Sequence, residues 1–355
     1  MVIENLKSDK RKFKLTICGL VVALAFTGLF YGVLTSNTES TLTVSLEENN
    51  TFEYHELNEG IYIGSSLEDV ISGSGKVYYV NGDSYEGEIV AGLRAGTGTL
   101  TWSNGNIYSG EFNNDLREGT GEMQWHNGNS YSGSFEGNHL SGEGIYKYAD
   151  GATYTGTFVE GQRSGKGVLA YIDGATYEGT WKEDKYSGNG TYTFPNGNIL
   201  SGSFEDNAFS GNGTYTIKDS TGTYVLVVKA GIATGEMTAT LKNGDVYKGT
   251  YSNGAFTGSV TITYSNGDKY SGEVSKGLKS GTGTYTWSSG DKYVGAWSKD
   301  QMNGQGKYYY TSSSYPYLEG KFLNNKPSGT CKYYKNSTTT YKTNWNKGVC
   351  TSISE

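Results

Sequence analysis

The chain has 355 residues, among them 53 glycines, 31 tyrosines and only 3 prolines, and its formal net charge is −7. That acidity gives it no electrostatic reason to bind nucleic acid or to lie on an anionic bilayer. So much glycine beside tyrosine describes a turn-dense β array with little conventional core.

Residues 1–14 form a basic tail, with Lys7, Lys10, Arg11, Lys12 and Lys14 outweighing two carboxylates. Residues 15–34, LTICGLVVALAFTGLFYGVL, carry no charge, and that length of helix crosses the hydrocarbon layer. A single transmembrane helix is therefore expected. The residues from 36 to 61 hold six glutamates and no lysine or arginine. The positive-inside bias then puts the N-terminus in the cytoplasm and everything after the span on the extracytoplasmic side. A cleaved signal peptide and a secreted product is the alternative, because a basic start and an apolar run serve both. Gly28 and Gly32 would let two such helices approach closely, which leaves self-association open. Residues 35–61, rich in Ser, Thr, Asn and Glu, read as an acidic flexible stem.

From Tyr62 the chain repeats. Tyr85, Tyr108, Tyr131, Tyr154 and Tyr177 follow at intervals of 23 residues, and later copies open at Leu200, Tyr224, Tyr247, Tyr270, Tyr293 and Leu318. Twelve full units fill 62–340, and a partial repeat with a C-terminal cap occupies 341–355. The twelfth position is glycine in every full unit, from Gly73 to Gly329. Such a period means one supersecondary unit stacked on copies of itself.

Each unit reads as two strands. Leu100 and Trp102 alternate with Thr99 and Thr101, and Tyr108, Gly110 and Phe112 alternate with Ser109 and Glu111, a period of two that marks a half-buried strand. Asn104-Gly105, Asn127-Gly128, Asp150-Gly151 and their copies are hairpin signals. Side chains of facing residues share a side, so an odd loop is required. A loop of three, Asn104 to Asn106, predicts Trp102 opposite Tyr108, Leu100 opposite Gly110, and Gly98 opposite Phe112. Gly64, Gly87 and Gly110 would leave room for neighbouring rings over the sheet.

Tyr-x-Gly-x-aromatic, Gly-x-x-x-Gly-x-Gly and then Asn-Gly, as in Tyr108, Gly110, Phe112, Gly119, Gly121 and Gly128, resembles the MORN (membrane occupation and recognition nexus) repeat. The resemblance implies an all-β fold: an elongated single-layer antiparallel sheet of tandem β-hairpins, here preceded by the transmembrane helix. It also implies use in protein contact, self-association or lipid attachment rather than catalysis. Leu226 departs from the pattern at the third position, as do Met237, Val260 and Cys331 at the fourteenth, so an irregular stretch is expected between about 217 and 260.

His55, His126 and His139 have no cysteine or carboxylate neighbours at metal-ligand spacing, and no nucleophile elbow or phosphate loop appears. No catalytic residue, cofactor or metal is expected. Cys331 and Cys350 leave a disulfide open on the oxidising side of a membrane. The expected function is a non-enzymatic, membrane-anchored surface scaffold with an unidentified protein partner. Its contact surface would be an aromatic face of Trp102, Tyr108, Trp125, Tyr131, Tyr148, Tyr154, Tyr171, Tyr177, Phe194 and Trp287. Binding of cell-wall polysaccharide through the same rings, and attachment to a lipid surface, are the alternatives.

Overall fold

The computed structural model describes residues 60–64, 72–311 and 314–355, together with the backbone of the strands Val44–Ser45 and Thr51–Leu57. The expected span at 15–34 and the basic tail lie outside the described residues. Among those described, no helix is long and apolar enough to cross a membrane. The part of the expected stem that is described is not loose chain: Thr51–Leu57 pairs antiparallel with Gly60–Gly64, placing His55 opposite Tyr62.

The described strands form an open, all-β antiparallel sheet of hairpins. Two compact bodies divide it, one comprising Met1–Asp173 with Thr180–Lys185 and the other Gly174–Gly179 with Tyr186–Glu355. Each repeat alternates a strand of about seven residues, such as Ile107–Asn113, with one of about nine, such as Leu116–Gln124.

Two kinds of turn join them, and the tight one is not at Asn-Gly. Asn114-Asp115, Ala91-Gly92 and Glu183-Asp184 have positive φ at both residues, the geometry of two-residue hairpins whose twist matches the strands. The Asn-Gly sites instead lie in five-residue loops. In Trp102–Asn106 the Trp102 N–H donates to the Asn106 carbonyl and the Gly105 N–H to the Trp102 carbonyl, each at 2.9 Å. The Asn104 side chain caps the Asn106 N–H at 3.0 Å.

The expected register is therefore corrected by two residues. Leu100 faces Tyr108, Gly98 faces Gly110 and Gly96 faces Phe112. The odd loop holds, so the rings do share a side. Alternation constrains only that parity, whereas the wider hydrogen-bonded loop sets which residues meet.

Within each repeat the ladder is interrupted once. Gly110 pairs with Gly121, but the next pair is Phe112 with Arg117, a bulge that leaves Gly119 and Thr120 without ladder partners on that side. Gly119 sits there at a φ of 65°, and its counterparts at the twelfth position are likewise left-handed except Gly211. An L side chain resists that conformation, which accounts for glycine at this position in eleven of the twelve units; at Gly211 an added Cβ would fall 2.4 Å from the Ser203 Cβ. The tyrosine at the first position completes the bulge: the Tyr108 hydroxyl donates to the Glu111 carbonyl at 2.9 Å. Tyr85, Tyr131 and Tyr270 do the same for Glu88, Ser134 and Glu273.

That ring lies flat over the glycine pair. A Cβ on Gly121 would fall 2.5 Å from the Tyr108 hydroxyl, and one on Gly110 would fall 2.5 Å from the Gly121 Cα. Gly64 and Gly87 are covered in the same way by Tyr62 and Tyr85, as the sequence pattern predicts.

Departures from glycine come with a changed ring. Cys331 faces Gly320 in the repeat that opens with Leu318, and Val260 and Met237 belong to repeats whose Tyr247 and Tyr224 are only half-buried. Where Leu200 replaces the tyrosine but both glycines remain, the Phe209 ring lies over Gly202 and Gly213. Volume is conserved across the pair rather than at either site.

Candidate functional site

The rings divide into three rows by position in the repeat. Tyr108, Tyr131, Tyr154 and Tyr177 open their repeats and expose at most 1% of their surface. Edge-on partners hold them: Tyr108 meets Phe112 at 5.0 Å and Phe135 of the following repeat at 4.9 Å. Such T-shaped pairs suit the aromatic quadrupole, and the one to Phe135 links one repeat to the next. These four of the ten expected contact residues shape the sheet from inside and present nothing to a partner.

A second row, Tyr146, Tyr285 and Tyr308, is half-buried and locked through its hydroxyls. Asn129 Nδ2 donates to Tyr146 at 2.8 Å, while Tyr285 and Tyr308 donate to Asp268 and Asp291 at 2.7 and 3.1 Å. Burial raises the pKa of Tyr146, and it raises Tyr308 to about 12 with help from Asp291. These hydroxyls therefore stay protonated near neutrality, Tyr146 accepting from Asn129 and Tyr308 donating to Asp291.

The third row closes each nine-residue strand at the mouth of the five-residue loop. Trp102, Trp125 and Tyr148 are half-buried and Tyr171 is exposed in the first body; Phe194, Tyr264 and Trp287 are half-buried and Tyr310 is exposed in the second. Ring contacts steady this row against the second. Trp125 lies 5.3 Å from Tyr146, Tyr146 lies 4.7 Å from Tyr148, and Trp287 lies 4.7 and 5.3 Å from Tyr285 and Tyr308. The six expected contact residues that keep accessible surface all fall here. Tyr264 and Tyr310 belong to the same row and were not anticipated, although Tyr264, Trp287 and Tyr310 follow the 23-residue interval as plainly as Trp102 and Trp125 do.

Cations at the tenth position are a further feature that the motif does not reveal. The Arg117 guanidinium lies 5.7 Å from the Trp102 ring centroid and 5.5 Å from that of Phe135, and Arg163 lies 4.3 Å from Trp181. Burial lowers the pKa of Arg117. Lys279 sits among Tyr264, Tyr270, Tyr285 and Trp297. These charges are tied to the turn of the following repeat. Arg94 donates from its backbone N–H and from Nε to Asp115 Oδ1 at 2.8 and 2.9 Å, and Arg163 reaches Asp184 likewise at 3.0 and 2.9 Å. On the opposite edge the loops clip together: Asp83 accepts from the Ser103 N–H at 2.8 Å and Asn106 from the His126 N–H at 2.9 Å. Both edges thus carry a ladder of short polar staples between repeats.

The MORN repeat model matches residues 62–84, 85–107, 108–130, 131–153, 154–176, 177–199, 201–222, 247–269, 270–292, 293–315 and 319–339. The chain belongs to the MORN-repeat family. The unmatched stretch includes the unit opening at Tyr224, where Leu226 faces Met237 and the glycine pair is absent. No curated protein matches this MORN-repeat chain. Among solved structures it is similar to the SAS-4 (dCPAP) TCP domain of Drosophila melanogaster in complex with a proline-rich motif of Ana2, at 16% identity over 53% of this chain and 94% of that one, with a TM-score of 0.29. It is also similar to a mutant TCP10 domain of Danio rerio CPAP, at 13% identity over 70% and 99%, with a TM-score of 0.21. Virginiamycin B lyase from Staphylococcus aureus follows at 10% identity over 66% and 96%, with a TM-score of 0.15.

Cys331 is buried, Cys350 is partly exposed, and both are free thiols. The strand Thr340–Asn346 pairs with both of their strands and separates them. Two strand spacings amount to about 9.6 Å, beyond the reach of a disulfide. The bridge left open by the sequence is therefore not part of this fold. His126 and His139 are exposed, and no group of three side chains able to hold a metal occurs among the described residues.

Proposed function

We propose that this MORN-repeat chain is a non-enzymatic, membrane-anchored surface scaffold that captures a protein partner through its third row of rings. The observation that carries the reading is the contrast between rows. Tyr108, Tyr131, Tyr154 and Tyr177 are sealed, whereas Trp102, Trp125, Tyr148 and Tyr171 keep accessible surface, Trp125 and Tyr148 with the Tyr146 ring against them. Pre-ordered aromatic side chains at a surface lose little entropy on binding and serve as anchors. Anchoring rests on the uncharged run at 15–34 and the basic residues before it, which also favour an extracytoplasmic location.

The test is affinity capture from intact cells with the full chain carrying Trp102→Ser and Trp125→Ser. Capture should fall at least about tenfold, as for loss of two interface anchors, while denaturation of repeats beyond residue 186 stays unchanged. Undiminished capture by a folded variant would remove the ring row from consideration.

The exposed rings of Tyr171 and Tyr310 also favour sugar stacking as a second reading. Retention on purified wall polysaccharide, lost in Tyr171→Ser, would support it over the protein partner. Lipid attachment is opposed by the net charge of −7, and vesicle flotation addresses it.

A further inference from the structure

The alternation that sends rings to one side of the sheet sends a second set of residues to the other, and their charges are sorted along the chain. In the first body the polar face exposes Glu86, Glu88, Glu111, Glu122, Glu136 and Glu143. Lys76, 2.9 Å from Glu86, and Lys147 are the lysines beside them among the described residues of that face between 72 and 147. Next to the two-residue turns at one end of these strands lie Val90, Leu93 and Leu116, exposed by 57%, 40% and 43%.

In the second body the same face reverses sign. Lys292, Lys307, Lys321, Lys332 and Lys342 occupy it, and Glu319, 3.6 Å from Lys307, is its one carboxylate among the described residues from 292 to 346. Its loop edge is aromatic. Lys292, Tyr309, Tyr317 and Tyr334 face one another in turn across four adjacent strands. Tyr309 lies 5.1 Å from Tyr317, which stacks on Tyr334 at 4.4 Å and 14°. Lys292 and Lys307 place their ammonium groups 4.5 and 5.2 Å from Tyr309 and Tyr317.

The equivalent row in the first body holds Thr101, Ile107, Gln124 and Ser130. The bulge, the glycine pair and the buried tyrosine are the same in both bodies, so hairpin geometry does not call for tyrosine in that row.

We infer that these two patches are complementary and that the basic tyrosine patch of one copy of this chain binds the acidic patch of a second copy, with its exposed aliphatic residues. Exposed apolar side chains beside charged ones are usual in a protein interface, and opposite charges steer and select the encounter. A second copy is the occupant because the matching surface, in both charge and exposed aliphatic content, is on the chain itself. The contact is heterologous, joining different patches of two copies. It uses the face opposite the ring rows and does not rest on the reading given above for those rings.

The experiment follows the oligomeric state of the full chain by sedimentation at low and high ionic strength. Self-association should weaken with salt, as exposed charge pairs do. Lys307→Glu with Lys332→Glu, or Glu86→Lys with Glu122→Lys, should each weaken it at least about tenfold. An equimolar mixture of the two variants should associate again, because the first keeps the native acidic patch and the second the native basic patch. Thermal melts confirm that each variant is folded, and association persisting in Trp102→Ser with Trp125→Ser separates this contact from the ring rows.

A wild type that stays monomeric at low salt overturns the inference. So does a folded pair of charge variants that each associate like wild type, or that fail to associate when mixed. Binding of polyglutamate by a monomeric wild type would instead assign the lysine patch to an acidic ligand from elsewhere.

Discussion

Adding one carbon to Gly121 should cost far more than its position in an open sheet suggests. An alanine methyl there would lie 2.5 Å from the Tyr108 hydroxyl and 2.6 Å from two ring carbons, so the ring must lift. Overpacking of this kind costs about 1–3 kcal/mol. Lifting also breaks the 2.9 Å bond from Tyr108 to the Glu111 carbonyl, worth about 1 kcal/mol. The edge contacts to Phe112 and Phe135 loosen with it, at about 0.5–1.5 kcal/mol each. Together Gly121→Ala should destabilise its repeat by about 3–7 kcal/mol. Gly92→Ala is the control, because nothing lies within 4 Å of that Cβ and only its φ of 79° opposes the change, at about 1–2 kcal/mol. Hydrogen exchange is the suitable assay, since stability in a repeat array is local and protection is read residue by residue. Tyr108→Leu should largely rescue Gly121→Ala, reproducing the Leu318 and Cys331 combination that the chain already uses. A cost no larger than that of Gly92→Ala, or an additive double-mutant cycle, would refute the account of the ring over the glycine pair.

Tyr108→Phe keeps the ring but strands the Glu111 carbonyl, and should cost about 1–2 kcal/mol in the same exchange measurement. Burial raises Tyr85, Tyr108, Tyr131 and Tyr293 from the ordinary 10.0 to about 12. Their folded pKa exceeds the unfolded one, so the stability they contribute is full below pH 10 and is lost as the pH rises towards 12; a flat melting temperature across that window would contradict it. Asp115→Ala removes two hydrogen bonds from Arg94 and should raise exchange at the Asn114 turn and at Arg94 without disturbing repeats beyond residue 186. Cys331, buried and with its thiol pKa pushed up by burial, should react with a disulfide reagent far more slowly than Cys350; equal rates would mean that the repeat opening at Leu318 does not close over it.

Much of this MORN-repeat fold is local and hence readable from the chain. Alternation over five to nine residues placed the rings on one side and the threonines and glutamates on the other, and the 23-residue period placed the Asn-Gly hairpins. The room left by Gly87 and Gly110 for a ring was also foreseeable, because a first-position tyrosine always precedes them by two residues. In sequence the Asn-Gly loop reads two residues too short, and the tight turns between do not read at all, for a physical reason. Asn-Gly favours a hairpin without specifying its length, whereas Ala91-Gly92 and Asn114-Asp115 share no residue type, although both sit at the same point of the period.

What the amino-acid order determined by itself is whatever depends on neighbours along the strand: parity, period, and the side on which each residue lies. Tertiary structure decided what depends on the strand across. Register was settled by hydrogen bonds within the five-residue loops, and the left-handed glycine of the bulge acquired its meaning only from the tyrosine hydroxyl that fills the gap in the ladder. The ten expected contact residues likewise separated into sealed and accessible rows only when successive repeats were laid side by side. A ring's exposure is set by the following repeat, which lies a full period away in sequence and one or two strand spacings away in space.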